Sequence, residues 1–147
     1  MSEAPAQNSS IWNLIFAGWL IAMLSTLSSL FFSEVMELIP CVLCWYQRIF
    51  IFPLSIILVL GLFPLDTNVI KYALPLSLIG LAFTIYHCLL FYGFIPENLQ
   101  PCSQGIPCSD DSMVLFGILP IPVLSLFAFL SISALLLFAR GKLNEKI

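Results

Sequence analysis

Residues Cys41–Phe63 read CVLCWYQRIFIFPLSIILVLGLF, 23 residues carrying a single charge, Arg48. As a helix rising about 1.5 Å per residue, such a run is long enough to cross a hydrocarbon core about 30 Å thick. Three further runs meet the same requirement: Ile11–Phe32 with 22 residues, Tyr72–Phe94 with 23 and Val114–Ala139 with 26. The whole chain of 147 residues is 61% hydrophobic and 9% charged, whereas soluble domains carry about 25% charged residues. A soluble globular enzyme is thereby excluded. An aromatic content of 14% excludes a disordered chain, because disordered segments are poor in aromatic residues. Five basic residues and a net charge of −3 leave no footprint for nucleic acid. The reading is an all-α polytopic membrane protein, a four-transmembrane-helix bundle with two outward-facing loops, forming one membrane domain over residues 1–147.

The first run reads as a retained span: residues 1–10 contain no Lys or Arg, and a cleaved signal has a basic n-region and a shorter apolar stretch. Four spans put both termini and the 64–71 loop on one side. That side carries Lys71, Arg140, Lys142 and Lys146, while the opposite loops, 33–40 and 95–113, carry Glu34, Glu37, Glu97, Asp110 and Asp111 and no basic residue. Cytoplasmic loops are enriched in Lys and Arg, so the termini are expected in the cytoplasm. Four of the five cysteines then fall on the other side, where disulfides persist. Cys41 and Cys44 lie at the mouth of span two, so that redox loops are expected at 33–44 and 95–113, the second holding Cys102 and Cys108.

Pro40 favours a helix start at the segment Cys41-Val42-Leu43-Cys44. In a first turn, unpaired N–H groups and the helix dipole stabilise negative charge, which lowers the pKa of a C-x-x-C thiol and makes it the nucleophile of disulfide exchange. Arg48 stands seven residues from Cys41 and four from Cys44, on the same helical face. A guanidinium in an apolar run is costly. Either it stabilises a thiolate or an anionic electron acceptor, or it snorkels to the nearby headgroups.

Gly105, Pro101 and Pro107 let Cys102 and Cys108 approach one another in the longest loop. A disulfide there either braces the loop or, being exposed and beside a C-x-x-C, exchanges. A zinc site built from both pairs has the right ligand count, but zinc usually organises a small soluble module, which this chain lacks. His87 lies mid-span, as a satisfied bundle residue or as a cofactor or proton ligand. Cys88 reads as a small buried hydrophobe. Pro53, Pro75, Pro120 and Pro122 fall inside spans, and Pro120-Ile121-Pro122 predicts a kink in the outer third of span four.

The stretch Cys41-Val42-Leu43-Cys44-Trp45-Tyr46-Gln47-Arg48 resembles the bacterial disulfide-bond-formation protein B family (DsbB, with its shorter BdbC-type relatives). The likeness extends along nearly the whole chain, through Pro101-Cys102 to Pro107-Cys108 and Phe116-Gly117-Ile118-Leu119-Pro120-Ile121-Pro122. The resemblance implies a quinone-dependent thiol oxidase of the bacterial inner membrane that reoxidises a soluble DsbA-like thioredoxin-fold partner outside the cytoplasm, as the DsbA–DsbB–quinone system does for the periplasm. It implies that Cys102 forms the mixed disulfide with the partner and Cys108 completes that pair. Electrons then pass to Cys41 and Cys44, with Cys44 beside the quinone (ubiquinone or menaquinone), Arg48 polarising it and His87 near the ring. The chain departs from the longer-loop members in the tight spacing of Cys102 and Cys108, which leaves their order of attack open. It also has Gln47 where some relatives carry an acid.

The physics of a relay stands beside that likeness: exchange proceeds by thiolate attack through mixed disulfides, and Arg48 is the basic residue available at the outer bilayer edge. A non-catalytic scaffold with a structural loop disulfide is the alternative. A reductase passing electrons outward is disfavoured, because its cysteines should be reachable from the cytoplasm and no cysteine lies in the cytoplasmic segments.

Overall fold

The computed structural model describes residues 5–96, 114–115 and 118–145. Its elements are α1 (Pro5–Glu34), α2 (Val42–Leu62), α3 (Val69–Phe91), β1 (Val114–Leu115), β2 (Leu119–Pro120) and α4 (Ile121–Asn144). All four helices are long and apolar enough to cross a membrane. Each helix packs on the next, and α4 closes the bundle against α1. The all-α membrane bundle expected from the apolar runs is therefore present.

Three boundaries differ from the hydropathy reading, each for a local reason. Helix α1 begins at Pro5, six residues ahead of the apolar run, and α3 begins at Val69 rather than Tyr72. A helix can continue past the hydrocarbon wherever its backbone bonds allow, so it can start ahead of its apolar run. Span four is the larger correction. Its first residues form a short antiparallel ladder, Val114 opposite Pro120 and Leu115 opposite Leu119, and helix starts only at Ile121. Pro120 is the N-cap, in extended backbone, and Pro122 lies in the first turn. Proline is tolerated there because its missing N–H would have had no partner. The Pro120-Ile121-Pro122 motif starts the helix and does not kink it.

The core is a stack of aliphatic side chains from all four helices, among them Ile15, Leu54, Leu58, Ile70, Ile132 and Leu136, all 2% exposed or less. Phe129 of α4 fits against Gly80 of α3, and Gly61 of α2 against Val69 of α3; a Cβ at either glycine would collide with that neighbour. Several buried hydroxyls are satisfied within the bundle, whereas Thr26 Oγ1 on α1 has no hydrogen-bond partner among the described residues. Thr84 donates to the Gly80 carbonyl at 2.8 Å, and Ser133 donates to Ser77 across the α3–α4 interface at 3.2 Å. Large apolar side chains such as Leu24, Leu60, Phe127 and Phe138 face outward, as lipid-facing residues should.

Alternation of direction brings the C-terminal ends of α1 and α3 beside the N-terminal ends of α2 and α4. Contacts fix this end: Arg48 of α2 reaches Ser29 of α1, Cys41 reaches His87 of α3, and Cys88 of α3 reaches the Pro122 carbonyl. At the other end Lys142 of α4 donates to Ser10 of α1.

Candidate active site

The site is built on the first two turns of α2. Cys41 is its N-cap, in extended backbone, and its sulfur accepts the Cys44 backbone N–H at 3.4 Å. A sulfur here does what a serine oxygen does at an ordinary N-cap, taking up one of the four unpaired donors of the first turn. Pro40 therefore precedes the cap, two positions earlier than a proline at the first helical residue would stand. The Cys41 and Cys44 sulfurs are hydrogen-bonded at 3.0 Å, both as free thiols. That separation exceeds a disulfide bond by about 1 Å, so the pair can be oxidised with little backbone motion.

The two sulfurs face different surroundings. Cys41 is 2% exposed and packs with Leu43 and Leu90; its sulfur stands 3.7 Å from His87 Nε2. His87 is fully buried. It lies four residues before the end of α3, hence near the C-terminal end of the span and not at its middle. Its Nδ1 is 3.0 Å from the Gln47 side-chain nitrogen. Tyr46 and Phe50 of α2 both stack on Phe83 of α3, at 5.3 and 5.4 Å between centroids, and hold these faces together.

Cys44 instead lines a cavity of about 540 Å³ enclosed by α1, α2, α4 and the 37–40 segment. Ser25, Ser28 and Ser29 form its α1 wall, Leu124, Ser125 and Ala128 its α4 wall, and Gln47, Arg48 and Ile51 its α2 wall. The chain turns at Glu37, whose φ of +53° lies in the left-handed region, and Leu38, Ile39 and Pro40 join the lining. Arg48 is clamped at the wall. Its Nε donates to Ser29 Oγ at 2.7 Å and its Nη2 to the Ser29 carbonyl at 2.8 Å, with the guanidinium 5.3 Å from the Trp45 ring centroid. Both acceptors are neutral oxygens, so these bonds fix the guanidinium without cancelling its charge.

Cys44 and Arg48 thus share the cavity wall, while Cys41 touches Cys44 and turns toward His87. His87 is not among the residues lining the cavity; it touches Cys41 and Gln47. Ser29 and Gln47 were missed as partners, although the α1 run Ser25, Ser28, Ser29 marks a polar stripe at helical spacing. Cys102 and Cys108 lie outside the described residues. Cys41, Cys44 and His87 present ligand atoms within 4.8 Å of one another, three where a structural zinc site uses four.

Cys41, one residue ahead of the span, has its thiol pushed well below the ordinary range. Its hydrogen bond with Cys44 is the largest cause, burial opposes, and His87 adds to the lowering. A depressed acid is ionised above its folded pKa. Its contribution to the reduced fold is full above the unfolded thiol value and lost as pH falls through the folded one. In a variant lacking Cys88, Cys102 and Cys108, the thiolate ultraviolet absorbance of the reduced protein should persist below neutral pH. A midpoint in the ordinary range, near 8.5, would contradict the assignment.

A family model described as "Disulfide bond formation protein DsbB" matches residues 8–139. The chain belongs to this family. It is 49% identical over 139 residues to a "Probable disulfide formation protein" of Metapseudomonas resinovorans, covering 94% of this chain and 96% of that one. It is 41% identical over 133 residues to "Disulfide bond formation protein C" of Bacillus subtilis (strain 168), covering 89% and 95%. A "Probable disulfide formation protein" of Coxiella burnetii (strain RSA 493 / Nine Mile phase I) is 40% identical over 139 residues, covering 92% of each. No solved structure matches. Within the DsbB family this is a bacterial multi-pass membrane protein of disulfide formation.

Proposed function

We propose that the protein is a quinone-dependent protein-dithiol oxidase, with Cys41 and Cys44 as the dithiol that reduces the quinone. The observation that carries this reading is the cavity: Cys44 and a fixed, charged Arg48 share one wall of an otherwise mainly apolar space of about 540 Å³. Ligand pockets of 300–1,000 Å³ with few polar groups suit drug-sized molecules, and this one suits a quinone ring, which is flat and apolar with two carbonyl acceptors. Bound there, a quinone supplies an acceptor for two electrons and two protons, leaving as the quinol. The chain's own part is to hold Cys44 at the cavity, offer the guanidinium to an oxygen that gains charge, and exclude water.

Cys102 and Cys108 are the pair that exchanges with a soluble DsbA-like thioredoxin-fold dithiol. That pair then passes electrons to Cys41 and Cys44 by thiolate attack through mixed disulfides. Overall, one partner dithiol and one quinone give one partner disulfide and one quinol. The excess of Lys and Arg on the 64–71 and C-terminal segments supports cytoplasmic termini, which puts both cysteine pairs on the oxidising side. Purified protein given a reduced DsbA-like partner and ubiquinone or menaquinone should bleach the quinone absorbance. Absence of turnover with either quinone, with the chain folded, would favour a scaffold.

A further inference from the structure

Gln47 and His87 form a buried polar chain that ends on one sulfur of the dithiol. Gln47 is 7% exposed and His87 fully buried. Among the described residues each imidazole nitrogen has one polar neighbour: Nδ1 faces the Gln47 side-chain nitrogen at 3.0 Å, and Nε2 faces the Cys41 sulfur at 3.7 Å. A side-chain amide nitrogen only donates, and a neutral imidazole carries one N–H and one lone pair. Nδ1 must therefore accept, and the single ring proton must sit on Nε2, aimed at Cys41. We propose that Gln47 is a positioning residue: by donating to Nδ1 it locks His87 in the Nε2–H form, so that the ring proton is aimed at Cys41 and not at Cys44, the sulfur that faces the cavity.

The proposal rests on the reading of Cys41 and Cys44 as a working dithiol, and it gives the two unequal parts. Cys41 also accepts the Cys44 backbone N–H at 3.4 Å, so two donors from different helices converge on the same sulfur. Cys44 stands at the cavity, on the side of Arg48. A carboxylate at position 47 would reverse the chain, because it can only accept. It would draw the proton to Nδ1, leaving the neutral ring to present a lone pair to the sulfur.

The chain has one histidine, so selective ¹⁵N-histidine labelling reports on this ring without assignment. In the reduced protein, held in lipid nanodiscs at neutral to mildly alkaline pH, Nε2 should be protonated and Nδ1 bare, with the Nδ1 signal displaced by the hydrogen bond it accepts. In Gln47→Glu the proton should move to Nδ1, by roughly a tenfold or larger ratio over the native state, the size a charge-assisted hydrogen bond commands. In Gln47→Leu the bare Nδ1 signal should shift to its unbonded position. A native ring protonated on Nδ1, or a Gln47→Glu ring still bare at Nδ1, would overturn the assignment. The spectra need neither quinone nor partner: an inactive protein with the expected spectra would sink the oxidase reading alone, and an active one with the wrong tautomer would sink only this inference.

Discussion

Replacing Cys44 with serine should bring quinone reduction by a reduced DsbA-like partner down to the uncatalysed background, with the helical fold retained. The sulfur of Cys44 is the part of the dithiol that lines the cavity, and its neighbour Cys41 is buried behind it against His87. A serine oxygen keeps the size but cannot form the disulfide, and an alcohol is almost fully protonated where a thiol is partly ionised. Since the relay passes every electron pair through this disulfide, no parallel route exists to mask the loss. The substitution touches the first turn of α2 at a half-buried position, so circular dichroism should show the native helix content. Turnover near the native rate in Cys44→Ser would remove the α2 dithiol from the reaction.

Arg48→Ala carries the second large effect. The guanidinium is held by two bonds to Ser29 and rests against Trp45; it reaches the cavity as a fixed charge and not as a flexible one. Preorganised donors aimed at developing charge are typically worth about 10²–10³ in rate. The expected result is a fall of roughly a hundredfold in kcat/KM for quinone, while the cysteine pairs still exchange with the partner. Arg48→Lys should recover only part of it, because an ammonium cannot bond Ser29 Oγ and the Ser29 carbonyl in a planar fork. An apparent quinone KM equal to the native one in Arg48→Ala, with kcat also unchanged, would deny the guanidinium its role and return it to headgroup contact.

The membrane class, the number of spans, the pairing of Cys41 with Cys44 and the shared cavity wall of Cys44 and Arg48 were legible because each follows from a short-range rule. Apolar length predicts spans, and a separation of three, four or seven residues predicts a shared helical face. Residues 114–120 were not legible by those rules. Val114, Leu115 and Phe116 are apolar enough to lengthen a span, yet Gly117 and the two prolines favour a turn and a helix start, and hydropathy does not weigh backbone preference. The partners of Arg48 and His87 were hidden for another reason. Ser29 and Arg48 lie nineteen residues apart, Gln47 and His87 forty, and no periodicity links positions on different helices. Gln47 showed only as a departure from an acid seen in some relatives; its meaning needed the ring nitrogen it touches. The cavity likewise appears only once α1 and α4 close around α2.

The central claim is that partner oxidation and quinone reduction are one reaction, joined at Cys41 and Cys44. Its most direct test counts electrons: purified protein, reduced DsbA-like partner and a limited amount of quinone, without oxygen, with partner disulfide and quinol measured together. The account predicts one quinol for each partner disulfide, and both stopping when the quinone is spent. Partner disulfide that continues to form after the quinone is gone, or quinol that forms without partner disulfide, would contradict it.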